Sequence, residues 1–240
     1  KSRYLFKKYG IHIFSTNFAL YGDFSNRVMS ILSDNVPSIE IYSIDEAFMN
    51  LKGIPNKEKF AITLREKILQ WTGIPVSIGV APTKTLSKVA NTIAKKQRKN
   101  GVCTLTEKHE TLEYLKLFPV SNLWGVGRQF SRMLENNHIH NAYQLIHKSD
   151  RWLQKQMSIV GLKMVKELRG IPCFSLETSW KRKKSICTSR TFGEEVHHFN
   201  QLAQAISMYA FICGSKLRKQ GSCASMITIF ILTNPFKRKY

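Results

Sequence analysis

Between Phe24 and Asn91, segments whose apolar residues have the spacing of a helix alternate with segments that have the spacing of a strand. This alternation constrains the fold more than any other feature of the sequence. An amphipathic helix starting near Phe24, with Asp23 capping its first turn, precedes a strand–turn–strand segment at 39–51. A second helix, a short strand at 76–80 and a third helix follow. Helices and a strand hairpin interleaved in this way predict an α+β fold.

The chain changes character after Pro119, where short helices are separated by tight glycine turns. The basic run 181–184 has no apolar spacing and predicts a linker. Beyond it we predict a strand at 186–192, a long helix with an apolar stripe at 202–212, and a buried strand at 226–232. The sequence therefore predicts about three parts, the last of them an unfinished β-α-β unit.

The 240 residues include 37 Lys and Arg against 16 Asp and Glu, a formal net charge of +21. Such an imbalance attracts polyanions, which makes nucleic acid the leading partner, although a generically basic protein or one that sits on an anionic membrane fits the charge alone. No apolar run approaches the roughly 18 residues of a membrane span, and the first residues lack the core of a signal peptide, so we expect a cytoplasmic protein. The chain starts with Lys rather than Met and ends just after a strand-like run, so we expect both ends to be truncations.

The sequence contains five scattered cysteines and no C-x-x-C pair. This pattern predicts neither a disulfide framework nor a zinc site. We expect reduced packing residues at Cys103, Cys173, Cys187, Cys213 and Cys223.

Asp45 and Glu46 are adjacent at the centre of the predicted hairpin. A tight turn lets neighbouring carboxylates reach one ion, although an extended strand would send them to opposite faces. Hard oxygen ligands suit Mg²⁺, and two such ions roughly 3.5–4 Å apart support phosphoryl transfer. A solvated acidic turn has the same sequence, so the interpretation depends on the surrounding residues.

The helix after Val80 places Lys84, Lys88 and Lys95 on the face opposite its apolar residues. Lys84 lies in the first turn, where the helix dipole and exposed N–H groups favour a phosphate, so it could bind a triphosphate. A solvated lysine face is the alternative interpretation.

The segment 123–128 contains Gly125 and Gly127 and leads into helix-spaced apolar residues. This arrangement predicts a helix-hairpin-helix whose backbone N–H groups contact a DNA phosphate, although an ordinary interhelical turn uses the same glycines. The run 181–184, with Arg190 on the following predicted strand, would add salt-sensitive contacts that ignore base sequence. A mobile, solvated linker is compatible with the same basic residues.

Taken together, these segments resemble one family. Tyr42-Ser43-Ile44-Asp45-Glu46-Ala47-Phe48 resembles the palm hairpin of Y-family DNA polymerases, and residues 77–91 resemble their phosphate-binding helix. The amino-acid sequences of residues 14–29, 123–128 and 167–173 resemble the UmuC type of this family, the translesion polymerases of SOS mutagenesis and DNA repair. The resemblance extends essentially from end to end.

The resemblance implies an α+β palm remnant with an antiparallel hairpin and helices, a small helical thumb with a helix-hairpin-helix, and a partial α/β little finger. The implied boundaries are 1–18 for the end of the fingers, 19–91 for the palm, 92–177 for the thumb, 178–184 for the basic linker and 185–240 for the little finger.

The resemblance also implies template-directed DNA synthesis past damaged bases by two-metal nucleotidyl transfer, with Mg²⁺ as cofactor and deoxynucleoside triphosphates as substrates. Asp45 and Glu46 would be catalytic metal ligands, and Lys84 would bind the nucleotide. The implied DNA contacts are Ser43, Lys88, Gly125, Val126, Gly127, Arg128, Lys181, Arg182, Lys183, Lys184 and Arg190.

In this family the remaining metal-ligand aspartate and the aromatic steric gate lie N-terminal to the matched residues. We therefore expect the 240 residues to bind primer–template DNA but to polymerise poorly or not at all. The family's other partners are a UmuD′-type accessory subunit, the RecA filament and the sliding clamp, and the region that meets accessory subunit and clamp lies beyond the matched residues. Two other functions fit the same motifs: a non-catalytic, sequence-independent DNA-binding protein, and a nuclease or other two-metal phosphotransferase.

Overall fold

The computed structural model describes residues 3–97, 100–178 and 182–233. The chain divides into two compact units, Lys1–Thr178 and Ser179–Tyr240. Among the described residues, no helix is both long enough and apolar enough to cross a membrane.

The first half of the larger unit interleaves helices with short strands, as the apolar pattern predicts. Its elements are α1 Arg3–Lys8, α2 Phe18–Asn35, β1 Ile39–Ile41, β2 Ala47–Met49, α3 Lys57–Thr72, β3 Ile78–Val80, α4 Lys84–Gln97 and β4 Val102–Thr104. Strands β1 and β2 form an antiparallel hairpin with Glu40 opposite Phe48. Strands β3 and β4, which precede and follow α4 in the chain, pair in parallel with Gly79 opposite Cys103.

Helix α2 begins earlier than the sequence predicts. Its N-cap is Asn17, whose side-chain oxygen accepts the Leu20 N–H at 3.0 Å. Asp23 lies inside the helix and forms an ion pair with Arg27 at 2.9 Å. The prediction that Asp23 caps the helix is therefore wrong, because Asn17 is an equally good capping residue and nothing between it and Asp23 breaks the helix.

The second half of this unit is helical. It comprises α5 Lys108–Leu117, a 3-10 turn at Val120–Asn122, α6 Arg128–Asn136, α7 Ala142–Ile146 and α8 Asp150–Leu168, which is broken at Ser158, where φ is +65°. The predicted helix-hairpin-helix therefore has a 3-10 turn in place of its first α-helix.

Two apolar clusters support the unit, and the buried residues of α4 belong to the second of them. One cluster joins α2, α3 and β3 through residues such as Ile31, Leu64 and Ile68. The other joins Leu86 and Ala90 of α4 to the helices after residue 105. Because Gly79 of β3 also lies against the backbone of Ser87 and Asn91, the strand holds α4 as well as this cluster does.

The smaller unit contains α9 Phe199–Gln220, which confirms the predicted long helix. The described parts of 186–192 and 226–232 form no strands, and 226–232 is exposed, with Met226 82% accessible. These two strand predictions, and with them the buried β-α-β unit, are wrong because an apolar run becomes a strand only when another backbone pairs with it. Instead, the segment at Cys187 lies beside α9 and accepts a 3.1 Å hydrogen bond from Lys216 Nζ.

Candidate functional site

The turn between β1 and β2 carries Asp45 and Glu46, as predicted. The Ser43 N–H donates to the Glu46 carbonyl at 3.0 Å and closes the turn. Ser25 Oγ on α2 donates to the Ile44 carbonyl at 2.5 Å, which ties the tip of the hairpin to a neighbouring helix. Asp45 is exposed and accepts a 2.5 Å hydrogen bond from Ser43 Oγ. Local backbone and side-chain contacts therefore fix the position of the acidic pair.

A cavity of about 760 Å³ adjoins this turn. Its lining includes Asp45, Glu46, Lys84 and Lys88, so the hairpin carboxylates and the lysines of α4 share one space. Asn91 also lines the cavity, and its buried Oδ1 has no hydrogen-bond partner among the described residues. A cavity of this size is typical of small-molecule sites, which place a few polar groups on an otherwise apolar wall.

Lys84 begins α4, but its side chain is not solvated. Its Nζ donates to Glu40 Oε2 and, at 2.7 Å, to the Ser175 carbonyl. The Lys84 and Glu40 side chains are only 10% and 11% exposed, and the ammonium lies 5.0 Å from the centre of the Phe48 ring. The prediction of an outward lysine row is therefore wrong at this position.

Glu40 is a charged residue at this site that was not predicted from the sequence, and the buried Glu167 described below is another. It stands between Ile39 and Ile41 on β1 and is 9% exposed. A carboxylate is rarely buried without a cationic partner, so an acidic residue inside an apolar strand is a usable signal for a buried ion pair.

The N-terminus of α4 is occupied by protein groups. The Thr85 N–H donates to Glu167 Oε2 at 2.8 Å, and the Leu86 N–H donates to Thr83 Oγ1 at 3.3 Å. Glu167 is fully buried and also accepts the N–H groups of Cys173 and Phe174. The expectation that these first-turn N–H groups are open to a phosphate is wrong, because a carboxylate and a hydroxyl already satisfy them.

Lys88 lies one turn further along α4 and pairs with Glu46 at 2.6 Å. Three aromatic rings surround its ammonium, with centres 5.2 Å away for Tyr42 and 5.8 Å away for Phe48 and Trp124. Facing rings and a carboxylate together stabilise a cation that is 19% exposed.

The turn that was predicted to contact DNA phosphate has the expected glycine geometry. Gly125 has φ of +86°, which favours glycine, and Gly127 precedes α6 without a side-chain cap. Arg128 is exposed at the first position of α6. Val126 is only 8% exposed and its N–H donates to the Leu123 carbonyl, so it shapes the turn rather than presenting a donor.

Trp124 connects this turn to the acidic hairpin. Its Nε1 donates to the Tyr42 hydroxyl at 3.2 Å, and its ring meets Tyr42 nearly edge-on at 5.6 Å. Phe48 and Phe174 contact the same ring at 5.8 and 5.9 Å. The turn at 125–127 therefore has a fixed position relative to Asp45 and Glu46, although about 80 residues separate them in the chain.

The basic residues after the larger unit lie at the surface of the smaller unit. Arg182, Lys183 and Lys184 are exposed, and the Lys183 N–H donates to Gln220 Oε1 at 3.1 Å. Arg190 is exposed as well, on irregular backbone rather than a strand. Lys181 lies outside the described residues.

The oxygen donors of the cavity fit a magnesium ion in part. Asp45 and Glu46 are hard ligands on one turn, and Mg²⁺ is commonly held by one or two carboxylates together with substrate phosphates. In the parts of the chain that the structure describes, no group of three or more His, Cys, Asp and Glu side chains could hold a metal.

Family models match both units. The impB/mucB/samB family model matches residues 3–92, and the model of that family's C-terminal domain matches residues 183–240. The chain belongs to the impB/mucB/samB family. The resemblance to UmuC-type Y-family polymerases is thereby confirmed.

Named members of the impB/mucB/samB family align with nearly the whole chain. UmuC of Salmonella typhimurium is 39% identical over 98% of this chain and 57% of its own length. ImpB of Salmonella typhimurium is 38% identical over 95% and 55%, and MucB of Escherichia coli is 33% identical over 98% and 57%. The chain therefore spans a little over half the length of these relatives.

Solved structures of DNA polymerases are similar in fold to this chain. DinB from Sulfolobus solfataricus is 27% identical, with a TM-score of 0.53 over 64% of this chain and 45% of that chain. A Y-family DNA polymerase chimera built on Dbh is 25% identical, with a TM-score of 0.59 over 70% and 49%. The mixed, helix-rich architecture with small sheets is thus similar to that of Y-family polymerases over about two thirds of this chain.

Proposed function

We propose that this chain is part of a translesion DNA polymerase that copies damaged templates by nucleotidyl transfer. The observation that carries the proposal is the shared cavity, which brings Asp45, Glu46, Lys84 and Lys88 together although they come from two separate elements. The names of the relatives and the Y-family fold support the same reaction class.

In this proposal Asp45 and Glu46 hold divalent metal beside the substrate. The metal, when bound, neutralises charge on the transferring phosphoryl group and favours ionisation of the attacking hydroxyl. Lys84 contributes its remaining N–H to the triphosphate, and Lys88 adds a second cation on the same helix face. Phe48 lines the cavity with Trp124 packed against its ring, and in this proposal these rings keep water from that wall of the site.

The thumb turn and the basic residues supply the contacts with primer–template DNA. Ser43, Gly125, Gly127 and Arg128 lie at or next to the turns described above, and Arg182, Lys183, Lys184 and Arg190 are exposed cations. Phosphate contacts of this kind position a duplex without reading its sequence. We therefore propose salt-sensitive, sequence-independent DNA binding by a cytoplasmic protein at the nucleoid, with a UmuD′-type subunit, the RecA filament and the sliding clamp as partners of the whole polymerase.

A primer-extension assay with Mg²⁺ and all four deoxynucleotides tests the catalytic part. The family resemblance implies a further metal-ligand aspartate N-terminal to the matched residues. We therefore expect the 240 residues to bind DNA and extend a primer weakly or not at all, and a longer polypeptide that supplies this aspartate to extend it. Replacing Asp45 with Ala should abolish any extension, whereas Asp34→Ala, an exposed aspartate on α2, should have no effect.

Mg²⁺-dependent nucleotide binding separates this function from a purely DNA-binding one. We expect the unaltered chain to bind a deoxynucleoside triphosphate and Lys84→Met to lose that binding. DNA binding without any nucleotide binding would favour the non-catalytic alternative, and release of labelled fragments from DNA in Mg²⁺ would favour a nuclease.

A further inference from the structure

The ammonium of Lys84 has three N–H donors, and two of them are already used. One donates to Glu40 and one to the carbonyl of Ser175. Because a lysine ammonium can donate three hydrogen bonds, one donor remains for a ligand in the cavity. The two protein contacts restrict a side chain that otherwise has four flexible torsions, so the remaining donor has a defined direction.

Glu40 makes a second contact with the chain far from Lys84 in sequence. Its Oε2 accepts the Glu177 N–H at 2.7 Å. Glu177 belongs to an extended strap, residues 171–178, which follows α8 and whose side chains at Pro172, Phe174 and Leu176 line the cavity. One buried carboxylate therefore holds both the lysine and the strap that passes next to it.

We propose that Glu40 is a positioning residue for Lys84, and that through Glu177 it makes closure of the strap and phosphate binding in the cavity support each other. The inference deepens the proposed function and rests on it. Glu40 does not touch the phosphate itself; it acts on the direction of the Lys84 donor and on the strap that carries the Ser175 carbonyl.

The direction in which one substitution changes phosphate affinity distinguishes a positioning role from that of a negative charge that is merely nearby. Glu40→Gln removes a negative charge near a site that binds an anion, so simple Coulomb attraction predicts tighter phosphate binding. A positioning role predicts the opposite, because Lys84 loses its charged partner and the Glu177 N–H loses a charged acceptor. In metal sites, loss of a residue that orients a ligand costs about tenfold or more in affinity, and we expect a similar factor here.

The experiment measures binding of inorganic tripolyphosphate to the full 240-residue chain by calorimetry. Glu40→Gln should weaken binding about tenfold, while Glu66→Gln, the same change at an exposed position of α3, should leave it unchanged. Unchanged or tighter binding by Glu40→Gln would overturn the inference alone. Failure of the unaltered chain to bind tripolyphosphate would overturn the proposed nucleotide site together with it.

Hydrogen exchange at the Glu177 amide gives a second measurement that does not require a folded variant. If Glu40 couples the strap to the ligand, tripolyphosphate should slow exchange of this amide in the unaltered chain, because an ordered Lys84 strengthens the Glu40 contact. Faster exchange would mean that the phosphate displaces the Ser175 carbonyl and releases the strap, which would refute the coupling.

Discussion

Gly79→Ala is the perturbation whose consequence the geometry specifies most closely. Gly79 lies on β3, directly beneath α4, where a Cβ would stand 2.2 Å from the Asn91 nitrogen and 2.3 Å from the Ser87 carbonyl oxygen. Both are backbone atoms of a helix, so no side chain can rotate away. Ordinary van der Waals contact begins about 1 Å farther out, and α4 would have to move by about that distance.

Overpacking of this kind costs about 1–3 kcal/mol, and the rigid neighbours place Gly79→Ala in the upper part of that range. For a unit of this size the loss corresponds to a fall of roughly 4–10 °C in melting temperature. Gly22→Ala is the matched control, because Gly22 lies within α2 with open space around its Cβ position, and alanine should stabilise that helix by about 0.5–1 kcal/mol.

Thermal unfolding followed by circular dichroism measures both variants. Equal melting temperatures for Gly79→Ala and the unaltered chain would refute the close approach of β3 and α4. Since α4 carries Lys84 and Lys88, the variant should also lose tripolyphosphate affinity even where it remains folded, because displacements of about 1 Å are enough to misalign a site.

Three further outcomes follow from single contacts. Trp124→Phe keeps an aromatic ring but loses the hydrogen bond to Tyr42, so urea unfolding should show a loss of about 1 kcal/mol; no loss would mean that the contact contributes nothing. The Arg169 guanidinium holds the pKa of Asp150 below its ordinary value of 3.8, so the stability from this pair is present above that pH and is lost as the pH falls through the lowered pKa. Asp150→Asn should therefore lower the melting temperature at pH 7 and have little effect well below pH 3.8, and an equal effect at both would contradict the pairing. Arg128→Ala should weaken DNA binding equally for all sequences and reduce the slope of log affinity against log salt by about one, as fluorescence anisotropy would measure.

The sequence predicted the helices and the hairpin that depend on residues close together in the chain. The hairpin at 39–51, the helix carrying Leu64 and Ile68, and the long helix α9 all follow from the spacing of apolar residues. The expectation that Asp45, Glu46 and Lys84 act at one site followed from the resemblance to a family rather than from spacing alone. Each of these features depends on residues that are close in sequence or on a motif with a known structural context.

What the sequence could not supply was pairing between distant segments. The apolar run 226–232 has strand composition, but no described segment pairs with it, and composition does not reveal whether a partner exists. In the same way, an outward lysine face and a buried ion pair look identical in the sequence of α4. Only the burial of Glu40, 44 residues earlier, decides that Lys84 faces a carboxylate.

If Asp45 and Glu46 hold metal as proposed, the pairing of Lys88 with Glu46 predicts that metal and nucleotide bind cooperatively. As long as Glu46 neutralises Lys88, neither group is free for its proposed partner. A divalent cation held by Asp45 and Glu46 would replace Lys88 as their counter-charge, and the Lys88 ammonium would then be available to a phosphate. By linkage, the nucleotide would strengthen cation binding by the same factor.

Lys88→Met tests this exchange while keeping an apolar side chain against Tyr42, Phe48 and Trp124. Removal of the internal competitor should tighten Mn²⁺ binding, measured by electron paramagnetic resonance, by about two- to fivefold, the range that a partly exposed ion pair supports. The same variant should bind nucleotide more weakly, and its nucleotide affinity should depend less on Mn²⁺ than that of the unaltered chain. Lys95→Met, on an exposed lysine of α4, should change neither affinity. Unchanged Mn²⁺ affinity in Lys88→Met would show that the lysine does not compete with Mn²⁺ for Glu46. Without that competition, the ion pair could not couple the binding of metal and nucleotide.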